Sequence, residues 1–261
     1  MNKAIVFTVF NRFDYLKKTL DSWSQVIGLN KYDFYFKVEP SDQLESVENV
    51  IKNFEDKIEK PVKVIVNNRV MGCAANTWFA FDDLFQKYDF VILAEDDIIV
   101  SKDVLEYFDE AESMFREDKS ISIISANTKW HTSDPSIVIK EQAFNGLVWG
   151  TWKEDWENYF KDTWDFNYSS GNGTQSGWDW NITLRVLPSN NLFSIHPHVS
   201  RSQHIGVEGL HCSEDIFDMT QSPSFNNDNV WESLGILICT QESLKTNLGN
   251  EFIPLGTDLL V

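Results

Sequence analysis

Positive charge is the scarcest feature of this sequence: 22 Lys and Arg stand against 40 Asp and Glu, a formal net charge of −18 over 261 residues. A surface so acidic repels polyanions, which disfavours gripping nucleic acid or an anionic membrane face as the main task without excluding nucleic acid, since a local basic groove stays open to it. Cysteine is sparse as well. Cys73, Cys212 and Cys239 are odd in number and show no paired spacing, which argues against a disulfide framework and suits a reducing, cytoplasmic setting. Long apolar runs are missing too. The opening MNKAIVFTVFNRF is broken at Asn11 and Arg12, so it reads as a buried strand instead of a signal peptide, and no later segment approaches membrane-spanning length. Sequons at Asn167, Asn172 and Asn181 are accordingly taken as chance matches. Internal repeats and low-complexity tracts are absent.

What is present is a core: 42% of the residues are hydrophobic and 14% aromatic, enough for one large domain or two fused halves. Residues 4–10 form a short, β-branched apolar run of the kind buried on both faces of a parallel sheet. Phe13, Leu16, Leu20, Trp23 and Ile27 then recur at helical spacing, with Gly28 placed to end the helix. The rhythm repeats. Strands are predicted over 34–38, 62–66, 90–94 and 121–125, and helices over 44–58, 74–86 and 102–116. Such alternation indicates a doubly wound α/β sheet, whose ligand sits beyond the carboxyl ends of the strands, so the loops after Phe10, Val38, Val66 and Ala94 are expected to meet in one crevice. Beyond residue 125 the alternation fades into Trp-, Asn- and Gly-rich sequence. Two functional halves, 1–125 and 126–261, are predicted within one fold.

Residues 91–108, VILAEDDIIVSKDVLEYF, carry the clearest chemistry, because an apolar strand delivers Glu95, Asp96 and Asp97 consecutively to its carboxyl end. Like charges packed together repel and raise each other's pKa, and a divalent cation makes such a cluster favourable. Mg²⁺ or Mn²⁺ suits the place, since both take oxygen ligands and complete their shells with water and substrate phosphate.

The segment resembles the aspartate-rich, DXD-like motif of GT-A glycosyltransferases, and most of all that of the N-acetylglucosaminyltransferase I family, where an apolar strand ends in Glu-Asp-Asp ahead of an aromatic Glu-Tyr-Phe helix. The resemblance implies a GT-A fold, a Rossmann-like and mostly parallel sheet with flanking helices and a fused acceptor-side half. It makes Asp97 the direct metal ligand and assigns Glu95 and Asp96 to sugar and ribose hydroxyls. Arg12, after the first strand, is similar to the Arg that the family places near the nucleotide diphosphate, although Asn11 stands where the family has Asp. Glu39, with Asp42 nearby, lies where these enzymes use an acid to read uracil or ribose, and which of the two does so is left open. In NNRVMGCAANTWFAF, Asn76 takes the position of a base-contacting residue, and Gly72 and Ala75 permit close backbone approach.

The second half extends the likeness. FNGLVWGTWKEDW and GWDWNITLRV resemble the family's Gly-Leu-x-Trp segment and its Trp-Asp-Asp-Trp motif, with Asp179 matching the catalytic base and Trp178 replacing the first Asp. A base flanked by tryptophans makes physical sense: apolar neighbours raise a carboxylate toward useful basicity, and indoles pack against sugar rings. His211, in GVEGLHC, is similar to the late His that many metal-dependent GT-A enzymes place on the metal or diphosphate, though the closer relatives make no use of one. His196 and His198 have zinc-like spacing without further ligands to match, and are not assigned to a metal.

The expected activity is therefore a metal-dependent, inverting transfer of sugar from a nucleotide-sugar, a UDP-sugar such as UDP-N-acetylglucosamine by resemblance, to an acceptor hydroxyl. A sugar-phosphate nucleotidyltransferase would carry a Gly-rich phosphate loop after its first strand, and FNRFDYLKK lacks one. A non-catalytic carbohydrate-binding protein accounts for the tryptophans, but not for Glu95, Asp96, Asp97 and Asp179 together.

Overall fold

The structure is a computed structural model, and it describes residues 1–130, 134–167, 177–207, 217–218, 221 and 225–226, with the backbone of 237–240. In chain order the elements are β1 (Lys3–Val9), α1 (Phe13–Trp23), β2 (Asp33–Val38), α2 (Leu44–Ile58), β3 (Val62–Val66), α3 (Cys73–Phe85), β4 (Phe90–Glu95), β5 (Ile98–Val100), α4 (Val104–Phe115) and β6 (Ile121–Ser125). They continue with β7 (Ile137–Glu141), β8 (Trp149–Trp152), α5 (Lys153–Asp155), α6 (Trp178–Asn181), α7 (Leu187–Ser189), β9 (Phe193–Pro197), β10 (Ser202–His204) and β11 (Leu237–Thr240). Among the described residues, nine strands form one sheet in the order β11-β7-β9-β6-β8-β4-β1-β2-β3, and β5 pairs with β10 in a small separate sheet.

Strand alternation divides the core between two faces. Ile5, Phe7 and Val9 of β1 point with Phe34, Phe36, Phe90 and Ile92 into a cluster closed by Leu16, Leu20 and Trp23 of α1, Ile51 and Phe54 of α2, and Leu105 and Phe108 of α4. Ala4 and Val6 point the other way, joining Val91 and Leu93 under Phe81 and Phe85 of α3 and the rings of Trp149, Trp156, Trp164 and Trp178. Helices on both faces of a largely parallel sheet are the predicted doubly wound arrangement, and β1 is central to it, paired in parallel with β2 and β4.

The helix expected to run to Ile27 stops at Trp23. Its continuation is captured elsewhere, because the Ile27 N–H donates to the Lys102 carbonyl (2.9 Å), and Gly28 at φ +91° then redirects the chain. Beyond residue 125 the chain returns to the same sheet. β8 lies antiparallel between β4 and β6, a close insertion that needs glycine: a Cβ on Gly150 would meet the Phe90 ring at 2.6 Å. Among the described residues no helix is long and apolar enough to cross a membrane.

Candidate functional site

The first three parallel strands stop in step. The Glu39 N–H donates to the Val9 carbonyl and the Asn67 N–H to the Val38 carbonyl, both at 2.8 Å, so the loops after β1, β2 and β3 open on one crevice. β4 ends there at Glu95, and the turn of Asp96 and Asp97 follows, both only 3% exposed. The turn is held from two sides. The Phe10 N–H donates to Asp96 Oδ2 (3.2 Å), and the Thr19 hydroxyl donates to the Asp96 carbonyl (3.0 Å).

Arg12, at the start of α1, lays its guanidinium across both carboxylates, 2.5 Å from Asp96 and 2.7 Å from Asp97. The charges respond accordingly. Burial raises Glu95, helped by Asp97 and Asp96, to about 8. Asp96 rises to about 6 because burial outweighs its pairing with Arg12. Asp97 falls below the ordinary carboxylate range: burial works against it, but the hydrogen bond from His204 and the charge of Arg12 prevail.

The residues present fit a divalent cation. Asp97 Oδ1 is buried with no hydrogen-bond partner, a lone pair that costs free energy until something positive meets it. Among the described residues no three His, Cys, Asp or Glu side chains gather closely enough to encage an ion. A cation here would therefore draw most of its ligands from water and substrate phosphate, the habit of Mg²⁺ and Mn²⁺.

Around the far end of the crevice, Glu39 is 4% exposed and accepts a hydrogen bond from the Met71 N–H (2.6 Å), while its Oε1 is buried and unpartnered. Burial raises its pKa against the pull of the Met71 and Gly72 N–H groups. Asp42 lies exposed on the surface. Asn76 is buried with both ends of its amide engaged, donating to the Lys37 carbonyl (3.2 Å) and accepting from Asn67 (2.8 Å), so it braces the strand ends. On the outer side of the Met71–Gly72 loop a cavity of about 590 Å³ is lined by Trp78, Phe79 and Phe166 together with Arg69 and Val70, and none of the carboxylates reaches it.

Asp179 approaches from the second half. It sits in the first turn of α6, half-buried, with Oδ1 accepting the Trp180 N–H (2.8 Å); burial, then the charges of Glu95 and Asp179, raise the Cys73 thiol, and Asp179 adds a lesser push to Glu95. Trp178 is a core residue, 4% exposed, its ring stacked on Trp164 at 4.8 Å and 7°. Its indole N–H is turned to Cys73. His211 lies outside the described residues. His196 is buried in a network with Ser194 and the Asn127 carbonyl.

A sequence model of the GNT-I family matches residues 5–220. The chain belongs to the GNT-I family. Within curated proteins, this GNT-I family member is 28% identical over 228 residues to the alpha-1,3-mannosyl-glycoprotein 2-beta-N-acetylglucosaminyltransferase of Arabidopsis thaliana, an alignment covering 79% of this chain and 47% of that protein. The chain thus spans about half the length of that relative. Among solved structures it resembles the mannosyltransferase PcManGT of Pyrobaculum calidifontis, in complex with GDP-Man and Mn²⁺, with TM-score 0.51 and 12% identity over 75% of this chain and 54% of that one. GalNAc-T7 with UDP, GalNAc and Mn²⁺ gives TM-score 0.53 at 11% identity over 78% and 44% of the two chains, and S. aureus TarS 1-349 gives 0.51 at 12% over 76% and 60%. The fold is of the GT-A type.

Two residues at the site escaped sequence reasoning. His204 reaches Asp97 Oδ2 at 3.2 Å although 107 positions separate them, through the antiparallel pairing of β10 with β5. Gly206 lets the chain pass the same carboxylate: a Cβ there would press into Asp97 Oδ2 and lie 2.9 Å from His204 Nε2. A three-residue strand leaves no periodicity to read, and only the Gly two positions after the His hinted at a close approach.

Proposed function

We propose that the protein is a metal-dependent, inverting glycosyltransferase that moves a sugar from a nucleotide-sugar, a UDP-sugar such as UDP-N-acetylglucosamine in the first instance, to an acceptor hydroxyl. The observation that carries the reading is the buried, unpartnered oxygen of Asp97 beside Arg12 in the crevice at the strand ends. Family membership supports it, as do the name of the Arabidopsis relative and the nucleotide and Mn²⁺ content of two structural neighbours.

When bound, a divalent cation would neutralise charge on the departing nucleoside diphosphate. Asp97 would hold it, and Arg12 adds a second positive charge along the same edge. Glu39, with its buried free oxygen, accepts an N–H or hydroxyl of the nucleoside, and exposed Asp42 is left aside. Glu95 and Asp96 serve sugar and ribose hydroxyls. Asp179 takes the acceptor's hydroxyl proton as that oxygen bonds to the anomeric carbon from the face opposite the diphosphate, whose C–O bond breaks with its electron pair leaving on phosphate. Residues 1–125 thereby hold the donor, and residues beyond 125 supply the base and most of the acceptor side.

Asp179→Asn separates chemistry from binding. Turnover should fall by about 10²–10⁴-fold with donor affinity preserved. An unchanged rate would remove Asp179 from its role.

A further inference from the structure

The reading above, like the family resemblance behind it, gives the cation one side-chain ligand, Asp97. The surroundings of that carboxylate hold a second donor. His204 is 8% exposed and its Nε2 stands 3.2 Å from Asp97 Oδ2. Two ligands at adjacent corners of an octahedron of radius about 2.1 Å lie about 3 Å apart, so this spacing, which is also that of the hydrogen bond the pair makes without an ion, suits a shared cation. The placement is rigid. Ser202, Gln203 and His204 pair with Val100, Ile99 and Ile98, locking β10 to the strand that follows Asp97, and the Ile205 N–H donates to the Asp97 carbonyl at 2.9 Å. Gly206 then keeps the chain clear of both side chains. The second, independent observation is the other oxygen of the same carboxylate, Asp97 Oδ1, buried and without a hydrogen-bond partner.

We propose that His204 is a second protein ligand of the divalent cation, so that the site is a carboxylate–imidazole pair and prefers Mn²⁺ or Co²⁺ to Mg²⁺. The inference rests on the assignment of the cation to Asp97. In the cation-free chain the imidazole shares a hydrogen bond with Asp97, and on ligation that nitrogen offers its lone pair, with the ring proton on Nδ1. Nitrogen ligation matters for selection, because imidazole favours later first-row ions whereas Mg²⁺ is an oxygen-seeking ion.

Electron spin-echo spectroscopy of Mn²⁺ added alone to the full chain reads this directly. Wild-type protein should show ¹⁴N modulation that becomes ¹⁵N modulation when the histidines are ¹⁵N-labelled, a test that needs no variant to fold. The modulation should vanish in His204→Gln and persist in His211→Gln. Equilibrium binding should show His204→Gln holding Mn²⁺ at least about 10-fold more weakly, with a smaller Mn²⁺ over Mg²⁺ preference. Mn²⁺ bound in an Asp97-dependent way without nitrogen modulation, or with modulation that survives in His204→Gln, would overturn the inference and leave the transferase reading standing. Failure of the wild-type chain to bind Mn²⁺ at all would sink both.

Discussion

Glu95 and Asp96 keep their protons to about 8 and about 6, far above their ordinary values, because burial and the charge of Asp97, with that of Asp96 acting on Glu95, penalise ionisation. A folded state that holds protons the unfolded chain releases is destabilised as pH rises between those limits. The stability from these two groups is complete below about pH 4 and is lost as pH climbs through 6 and then 8. Melting temperature in EDTA should therefore decline from pH 5 to 8.5, and Glu95→Gln should flatten the upper part of the decline; a flat wild-type profile would contradict the charge cluster. Gly206→Ala is expected to abolish Mn²⁺ binding in a titration while the chain still folds, since the added methyl meets Asp97 Oδ2 and not the core. At this scale the acidic triplet and Arg12 were legible because they follow recognisable strands. His204 was not, since its proximity is created by strand pairing across 107 positions, and the internal partners of the Asn76 amide cannot be read from its place in the motif.

Elements of the first half could be read with boundaries off by a few residues, since each helix there has one apolar face against the sheet and each strand is a short, mostly apolar run. β3 shows the limit of that logic. Its apolar run looks like a buried strand, yet it is the sheet's edge, and Val64, Ile65 and Val66 are 38–40% exposed. After residue 125 the strands are short and the helical segments slip into wider turns, as at Trp156–Phe160 and Ile182–Val186, which blur a 3.6-residue period. β8 gives a direct check on the insertion between β4 and β6. Gly150→Ala should cost about 1–3 kcal/mol in denaturant unfolding because the added methyl meets the ring of Phe90, itself fully buried, and the side chain of Ile92. A neutral effect would mean that β8 packs less closely than described.

Across the whole molecule, the tryptophans that suggested a sugar-binding surface are largely interior. Trp149, Trp156, Trp164 and Trp178 form one face of the core, and stacking there holds the segment bearing Asp179 against the donor half. Trp178→Ala should accordingly destabilise by about 3–5 kcal/mol, read by denaturant titration, and Trp178→Phe by less. On the proposed reading, the acidic net charge leaves a cation and Arg12 as the positive charge that would meet a diphosphate in the crevice. Calorimetry with UDP-, GDP- and dTDP-sugars, in Mn²⁺ and again in EDTA, tests that directly. The account predicts saturable binding of one donor class with Mn²⁺, lost in EDTA and in Asp97→Ala; binding that is indifferent to metal and to Asp97, or no binding of any donor with Mn²⁺ present, would contradict it.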